Sequence, residues 1–275
     1  MDALETTTLP PERVDAYLRR IGAARPVRPT EDALRELQMR HLTSVPFENL
    51  SIHLGEDIVL DESALVGKVV DRRRGGFCYE LNGAFAALLR ALGYEVELLQ
   101  ARVYGDDGRL GIPYDHLALR VRAEDGGGRA WLVDVGFGDH STFPLDLDAR
   151  DEQKDPAGVF RIAECSAPDA AGDLDVVRDG TACFRLERRP RVLADFTAGA
   201  WWHRTSPESH FTRGPLASLL TDGGRVTLSG RRLITTRDGA REERRLDDDA
   251  ELLAAYRDHF GLRLDRPPVP LHPRP

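Results

Sequence analysis

The chain has 275 residues, 41% of them hydrophobic and 31% charged, with a net charge of −8. That is enough for one large globular domain or two to three subdomains sharing a core, and the acidic balance argues against nucleic acid or an anionic membrane as partner. No apolar run approaches the roughly 18 residues of a membrane span, and the opening MDALETTTLPPERVDAYLRR lacks the apolar stretch of a secretory signal, so the cytoplasm is the expected compartment.

In chain order, PPERVDAYLRRIGA reads as a helix entered through prolines and stopped near glycine. TEDALRELQMRHLTSV follows with Thr30 as N-cap and Leu34, Leu37 and Leu42 as its apolar stripe. DESALVGKVVDRR is a third helix, and Cys78 to Leu92, ended by Gly93, a fourth. The period then changes to two: YEVELLQARVY, DHLALRVRAE and RAWLVDVGFG are strands separated by GDDGRLGIP and EDGGG. GVFRIAE, DLDVVRD and CFRLERRP continue the pattern as a small antiparallel barrel or sandwich. From about residue 205 the spacing gives three strands with G-G, S-G and D-G turns, then a closing helix, DDDAELLAAYRDHFGL, and an extended or loose proline-rich tail. The fold class is α+β, in an order that is helical, then β, then mixed.

Three cysteines without C-x-x-C spacing make neither a disulfide framework nor a zinc pattern, and the eight histidines include no metal-binding spacing. Of the 38 basic residues only Lys68 and Lys154 are lysines, which reads as coding bias rather than phosphate recognition. Cys78, in RGGFCYELNGAF, is different from a packed cysteine. It sits where a glycine corner enters a helix, and free N–H groups with the positive end of the helix dipole favour thiolate there.

A reactive thiol needs a base and a group to orient it. His116 opens the strand HLALRV, and Asp134 lies within the apolar WLVDVGFG, where a carboxylate is costly to bury without a partner. A hairpin register placing His116 opposite Gly136 and Asp134 opposite Ala118 puts both on one sheet face; a slip of one residue separates them. Composition and spacing leave structural roles for all three residues open.

R-G-G-F-C-Y-E-L-N, then D-H-L-A-L, L-V-D-V-G-F-G, the upstream VPFENL and the downstream TSPESHF together resemble the arylamine N-acetyltransferase family. The resemblance implies a fold in that order, a helical subdomain (1–95), an antiparallel β-barrel subdomain (96–204) and an α/β lid (205–275), and a ping-pong reaction. Cys78 would be the nucleophile taking an acetyl group from acetyl-CoA as co-substrate, His116 its base and Asp134 the orienting carboxylate, before an aromatic amine or hydrazine accepts the group. The Cys78 N–H would serve the oxyanion. By the same resemblance Phe47 and Phe137 line the acceptor pocket, Gly136 and Gly138 meet CoA, and Glu48 and Arg74 brace the nucleophile loop as an ion pair. Asp139 departs from the family pattern, standing where a phosphate would prefer no carboxylate. Three alternatives remain: an amide synthase acting on a carrier-protein-bound polyketide chain, a Cys-His-Asp hydrolase, and a non-catalytic binding module. Trp201 and Trp202 are expected to pack the join to the lid, and His140 and His210 to be polar loop residues.

Overall fold

The computed structural model describes residues 9–167 and 170–273. Helix α1 (Pro11–Ile21) begins with proline and stops at Gly22 in the left-handed conformation (φ 65°). Helix α2 (Glu31–Ser44) is capped by Thr30, whose hydroxyl accepts from the Ala33 N–H at 3.3 Å. A two-residue strand, β1 (Phe47–Glu48), and a short helix, α3 (Leu50–Leu54), follow, neither carrying a periodic signal. Asp61 caps α4 (Glu62–Val70). Helix α5 (Cys78–Ala91) is buried on every side from Cys78 to Leu89, which explains its nearly uninterrupted run of small and apolar residues.

The second part is an eight-stranded antiparallel sheet in the order β5-β4-β3-β2-β9-β8-β7-β6. Its strands are β2 (Glu95–Val103), β3 (His116–Arg122), β4 (Trp131–Val133), β5 (Leu145–Asp146), β6 (Gln153–Asp155), β7 (Gly158–Glu164), β8 (Leu174–Arg178) and β9 (Thr181–Arg191). The Gln153 side chain draws the two edges together, accepting from the Asp146 N–H at 2.7 Å and donating to its carbonyl at 2.9 Å. The sheet therefore curls almost into a barrel. Period two divides its side chains: Leu98, Leu117, Leu119 and Val121 join the core around α5. Leu99, Ala118, Phe160 and Phe184 fill the barrel interior. Strands β3 and β4 pair Leu119 with Val133 and Val121 with Trp131, the register that puts His116 and Asp134 on one face. Strand β4 is shorter than WLVDVGFG predicted. The ladder ends at Val133: the Val135 N–H goes to the Asn82 side chain of α5 instead of to a strand, and the Asp134 carboxylate faces His116 and Asn82.

After helix α6 (Thr197–Thr205) and a 3-10 turn (His210–Thr212), the chain forms four strands, not the three expected. These are β10 (Leu216–Thr221), β11 (Gly224–Ser229), β12 (Arg232–Arg237) and β13 (Ala240–Arg245). The fourth, AREERR, is exposed at every residue and has no apolar alternation to betray it, as suits a charged edge strand. Helix α7 (Asp249–Phe260) closes the sheet. The tail is docked rather than loose: the Val269 N–H donates to the His53 carbonyl at 3.1 Å and the His272 N–H to the Thr212 carbonyl at 2.9 Å. Strand β1 pairs with β10, so VPFENL is the seam between the helical part and this sheet. Buried Asn49 holds the seam, donating to the Phe211 and Gly214 carbonyls at 2.9 and 3.0 Å and accepting from the Leu216 N–H at 2.7 Å. None of the described helices is long and apolar enough to cross a membrane.

Asn49→Ala leaves three part-buried backbone groups without their partner at once and is expected to cost about 1–3 kcal/mol, read as a lower urea midpoint with little change in slope.

Candidate active site

Three elements converge on Cys78. The cysteine is the first residue of α5, His116 the first of β3, and Asp134 follows β4 directly. His116 Nε2 meets Asp134 Oδ2 at 2.6 Å, with both side chains at 3% exposure or less. The Cys78 thiol also acts on the ring, and with Nε2 taken by Asp134 the nitrogen left for the sulfur is Nδ1. Asp134 Oδ1 accepts from the Asn82 amide at 2.8 Å and from the Gly136 N–H at 2.9 Å. Asn82 also donates to the Leu117 carbonyl at 2.6 Å and accepts from the Val135 N–H at 2.9 Å, tying α5, β3 and the loop after β4 into one unit.

The electrostatics follow from this geometry. Burial disfavours a charged imidazole, but the charge and hydrogen bond of Asp134, aided by Cys78, outweigh it and raise His116 from 6.5 to about 10. Burial likewise pushes the Asp134 carboxyl up; His116 and the Asn82 hydrogen bond overcome it, so its pKa is lowered.

A cavity of about 190 Å³ opens beside the sulfur, lined by Phe47, Val103, Asp115, Phe137, His210 and Phe211 together with Cys78, His116 and Gly136. The Phe137 ring stands edge-on to His116, centroids 5.2 Å apart. Gly136 belongs to this wall for a steric reason: a Cβ there would lie 2.7 Å from Cys78 Cα. Gly138 does not line the cavity; at φ 95° it lays the loop against the Phe47 ring.

Beneath the turn that leads to Cys78, Arg74 binds Glu48 at 2.9 Å and Glu56 at 3.0 Å, the expected ion pair with one carboxylate added. A second buried pair was not anticipated: Lys68 Nζ meets Glu80 Oε1 at 2.5 Å, and Glu80 accepts from the Phe77 N–H at 3.3 Å. Asn82 was also missed as a partner of Asp134, although it stands within the nucleophile motif, one helical turn beyond Cys78. The charge of Asp139 is answered by Arg178 at 3.5 Å and Arg225 at 3.4 Å, so it is not a bare carboxylate. His140 is no loop-surface residue. It is buried among Phe137, Phe160 and Phe184, and burial brings its pKa down to about 4. His210 is exposed at the cavity mouth, stacked on Phe211. Trp201 is 65% exposed and does not pack the join; Trp202 borders an open recess beside the cavity.

A thiol against an imidazole that a buried carboxylate orients is a set able to carry nucleophilic acyl chemistry. A sequence model described as N-acetyltransferase matches residues 30–269. The arylamine N-acetyltransferase of Mycolicibacterium smegmatis is 38% identical over 90% of this chain and 91% of its own, and that of Escherichia coli 33% over 90% and 88%. Among solved structures, the M. smegmatis arylamine N-acetyl transferase superposes with a TM-score of 0.83 at 37% identity, covering 91% of this chain and 92% of its own. The Mycobacterium marinum arylamine N-acetyltransferase in complex with CoA gives 0.81 at 33%, covering 90% and 92%. The chain belongs to the arylamine N-acetyltransferase family, a family of enzymes.

With a folded pKa above the ordinary 6.5, the His116 imidazolium adds stability that is complete below about pH 6.5 and lost as pH rises towards 10. Asp134→Asn is expected to remove that dependence and bring the His116 NMR titration down to 6.5 or below, with activity falling about 10²–10⁴-fold. Gly136→Ala forces the loop away from Cys78 and is expected to lower activity at least as far while leaving the far-UV spectrum unchanged.

Proposed function

We propose that the enzyme transfers an acetyl or other short acyl group from acyl-CoA to the nitrogen of an aromatic amine or hydrazine, through a thioester on Cys78. The observation that carries this reading is the buried Cys78–His116–Asp134 line opening on an aromatic cavity, in a chain whose relatives are named for that reaction. The Cys78 sulfur attacks the acyl carbonyl as its proton resides on His116. The carbonyl–sulfur bond to CoA breaks, and the departing CoA thiolate takes that proton. The amine then attacks the acyl-cysteine and gives its proton to His116, and the carbon–sulfur bond breaks to release the amide and restore the ion pair. In each half-reaction the oxyanion is met by the Cys78 N–H, which as the first in α5 has no carbonyl four residues back within the helix. A thioester intermediate keeps the activation of the donor thioester, so amine attack remains favourable.

Phe47, Phe137 and Phe211 supply flat apolar faces for an aromatic acceptor. A cavity of about 190 Å³ suits a single ring better than a polyketide chain. For the donor, an open recess of about 850 Å³ shares Val103, Asp115 and His210 with the cavity and carries Arg102, Arg109, Arg213 and Trp202. These are groups for a diphosphate and an adenine, with Asp106, Asp107 and Glu208 also on its walls. Gly136, which lines the cavity, and Gly138, against Phe47, stay in the proposal as the low wall past which the thioester arm reaches Cys78. The division at 95 and 204 remains the proposed domain organisation, and the cytoplasm the proposed compartment.

Brief incubation with acetyl-CoA is expected to add one acetyl group to the intact mass of the wild type and none to Cys78→Ala, and an added aromatic amine to discharge it. Folded wild type that gains no mass overturns acetyl-CoA as the donor.

A further inference from the structure

Asp115 immediately precedes His116 and lines both the cavity at Cys78 and the recess beside it. Its carboxylate is fixed from two sides: Oδ2 accepts from the Val103 N–H at 3.1 Å, and Oδ1 lies 2.9 Å from His203 Nε2. His203 is buried in α6, and its Nδ1 meets Ser209 Oγ at 3.2 Å. Ser209 Oγ in turn accepts from the Phe211 N–H at 3.2 Å, so one chain of polar contacts joins Asp115 to Phe211, another residue of the cavity lining. The Tyr79 hydroxyl fixes the backbone, donating to the Tyr114 and Asp115 carbonyls at 2.6 and 3.1 Å.

A carboxylate has about four acceptor positions, and these contacts use two. The Asp115 side chain keeps 12% exposure. The rest of the cavity lining is aromatic, aliphatic or imidazole, and no arginine or lysine is part of it; Arg102, Arg109 and Arg213 line the recess instead. Asp115 is therefore a rigid acceptor in a wall whose one cation among the described residues, the His116 imidazolium, is already paired with Asp134. When His203 is neutral the pair carries a negative charge. When it is an imidazolium the net charge cancels, yet the free lone pairs still prefer an N–H donor.

We propose that Asp115, clamped by His203, is a specificity-determining residue of the acceptor site: it selects acceptors carrying an N–H donor or cation beyond the reacting nitrogen and disfavours those carrying a carboxylate. This rests on the acyl-transfer reading above.

Two acceptors of matched shape and opposite charge test it, 4-aminobenzamidine and 4-aminobenzoate, with acetyl-CoA as donor. Wild type is expected to favour the amidine in kcat/KM by about tenfold or more, the scale of a charge-assisted hydrogen bond, and Asp115→Asn to lose the preference. Equal preference in both proteins overturns the assignment. Benzamidine and benzoate as competitive inhibitors of the wild type ask the same question without a substitution: benzamidine about tenfold tighter supports it, and equal or weaker binding overturns it. Acetylation of Cys78 without acceptor separates the two readings. Wild type that forms no acetyl-enzyme overturns both, whereas one that acetylates normally and shows no amidine preference overturns only the role of Asp115.

Discussion

The buried carboxylate of Asp134 is the constraint around which the site is arranged. An unpaired carboxylate at 2% exposure would take up a proton or move to solvent, so the fold must bring it partners. It draws them from three places: the His116 ring from β3, the Asn82 amide from α5 and the Gly136 N–H from its own loop. Because Asn82 lies one turn along the helix that Cys78 begins, satisfying Asp134 also sets how closely the barrel approaches the sulfur. The absence of a side chain at Gly136 permits that approach. Electrostatic and steric demands thus select the same docking of sheet on helix.

A second set of charges, buried except for Glu56, supports the turn at Cys78 from behind. Arg74 with Glu48 and Glu56, and Lys68 with Glu80, hold the segment between α4 and α5 and the seam at VPFENL. Burial and the neighbouring Glu48 raise the Glu80 carboxyl against the pull of Lys68. Burial would also raise Glu48, but Arg74 and Lys68 reverse this and lower it. Such pairs are weak sources of net stability, yet losing one partner leaves a stranded charge that costs about 3–5 kcal/mol. Their effect is to fix the backbone of the turn, and with it the direction of the free N–H groups at Cys78.

Much of this was legible in the sequence where local chemistry and periodicity agree. Thr30, Asp61, Gly22 and Gly93 mark helix ends by capping and turn preferences that need no tertiary information. The hairpin register was available as a possibility, because every second placement puts His116 and Asp134 on a common face and a slip of one residue separates them. What escaped detection lacked a local signal. Strand β13 has no alternation because neither face is buried, and β1 is two residues whose pairing partner lies far along the chain. His140 was misjudged because a histidine in a glycine-rich stretch resembles a surface residue until Phe160 and Phe184 arrive from distant strands. Lys68 gave one faint sign: in a chain that uses arginine almost everywhere, its ammonium fits a slot between Ser51 and Glu80 that admits a compact point charge.

On the proposed acyl-cysteine route the scarcity of lysine has a chemical consequence. A thioester acylates primary amines indiscriminately, and a protein's own lysines are usually the nearest. Here the Lys68 ammonium is locked beneath the active site against Glu80, and Lys154, on β6, is the only exposed lysine in the chain. Guanidinium groups stay protonated and are poor nucleophiles, so the other basic side chains offer no competing acceptor. The surface would thus be almost inert towards the proposed acyl-enzyme.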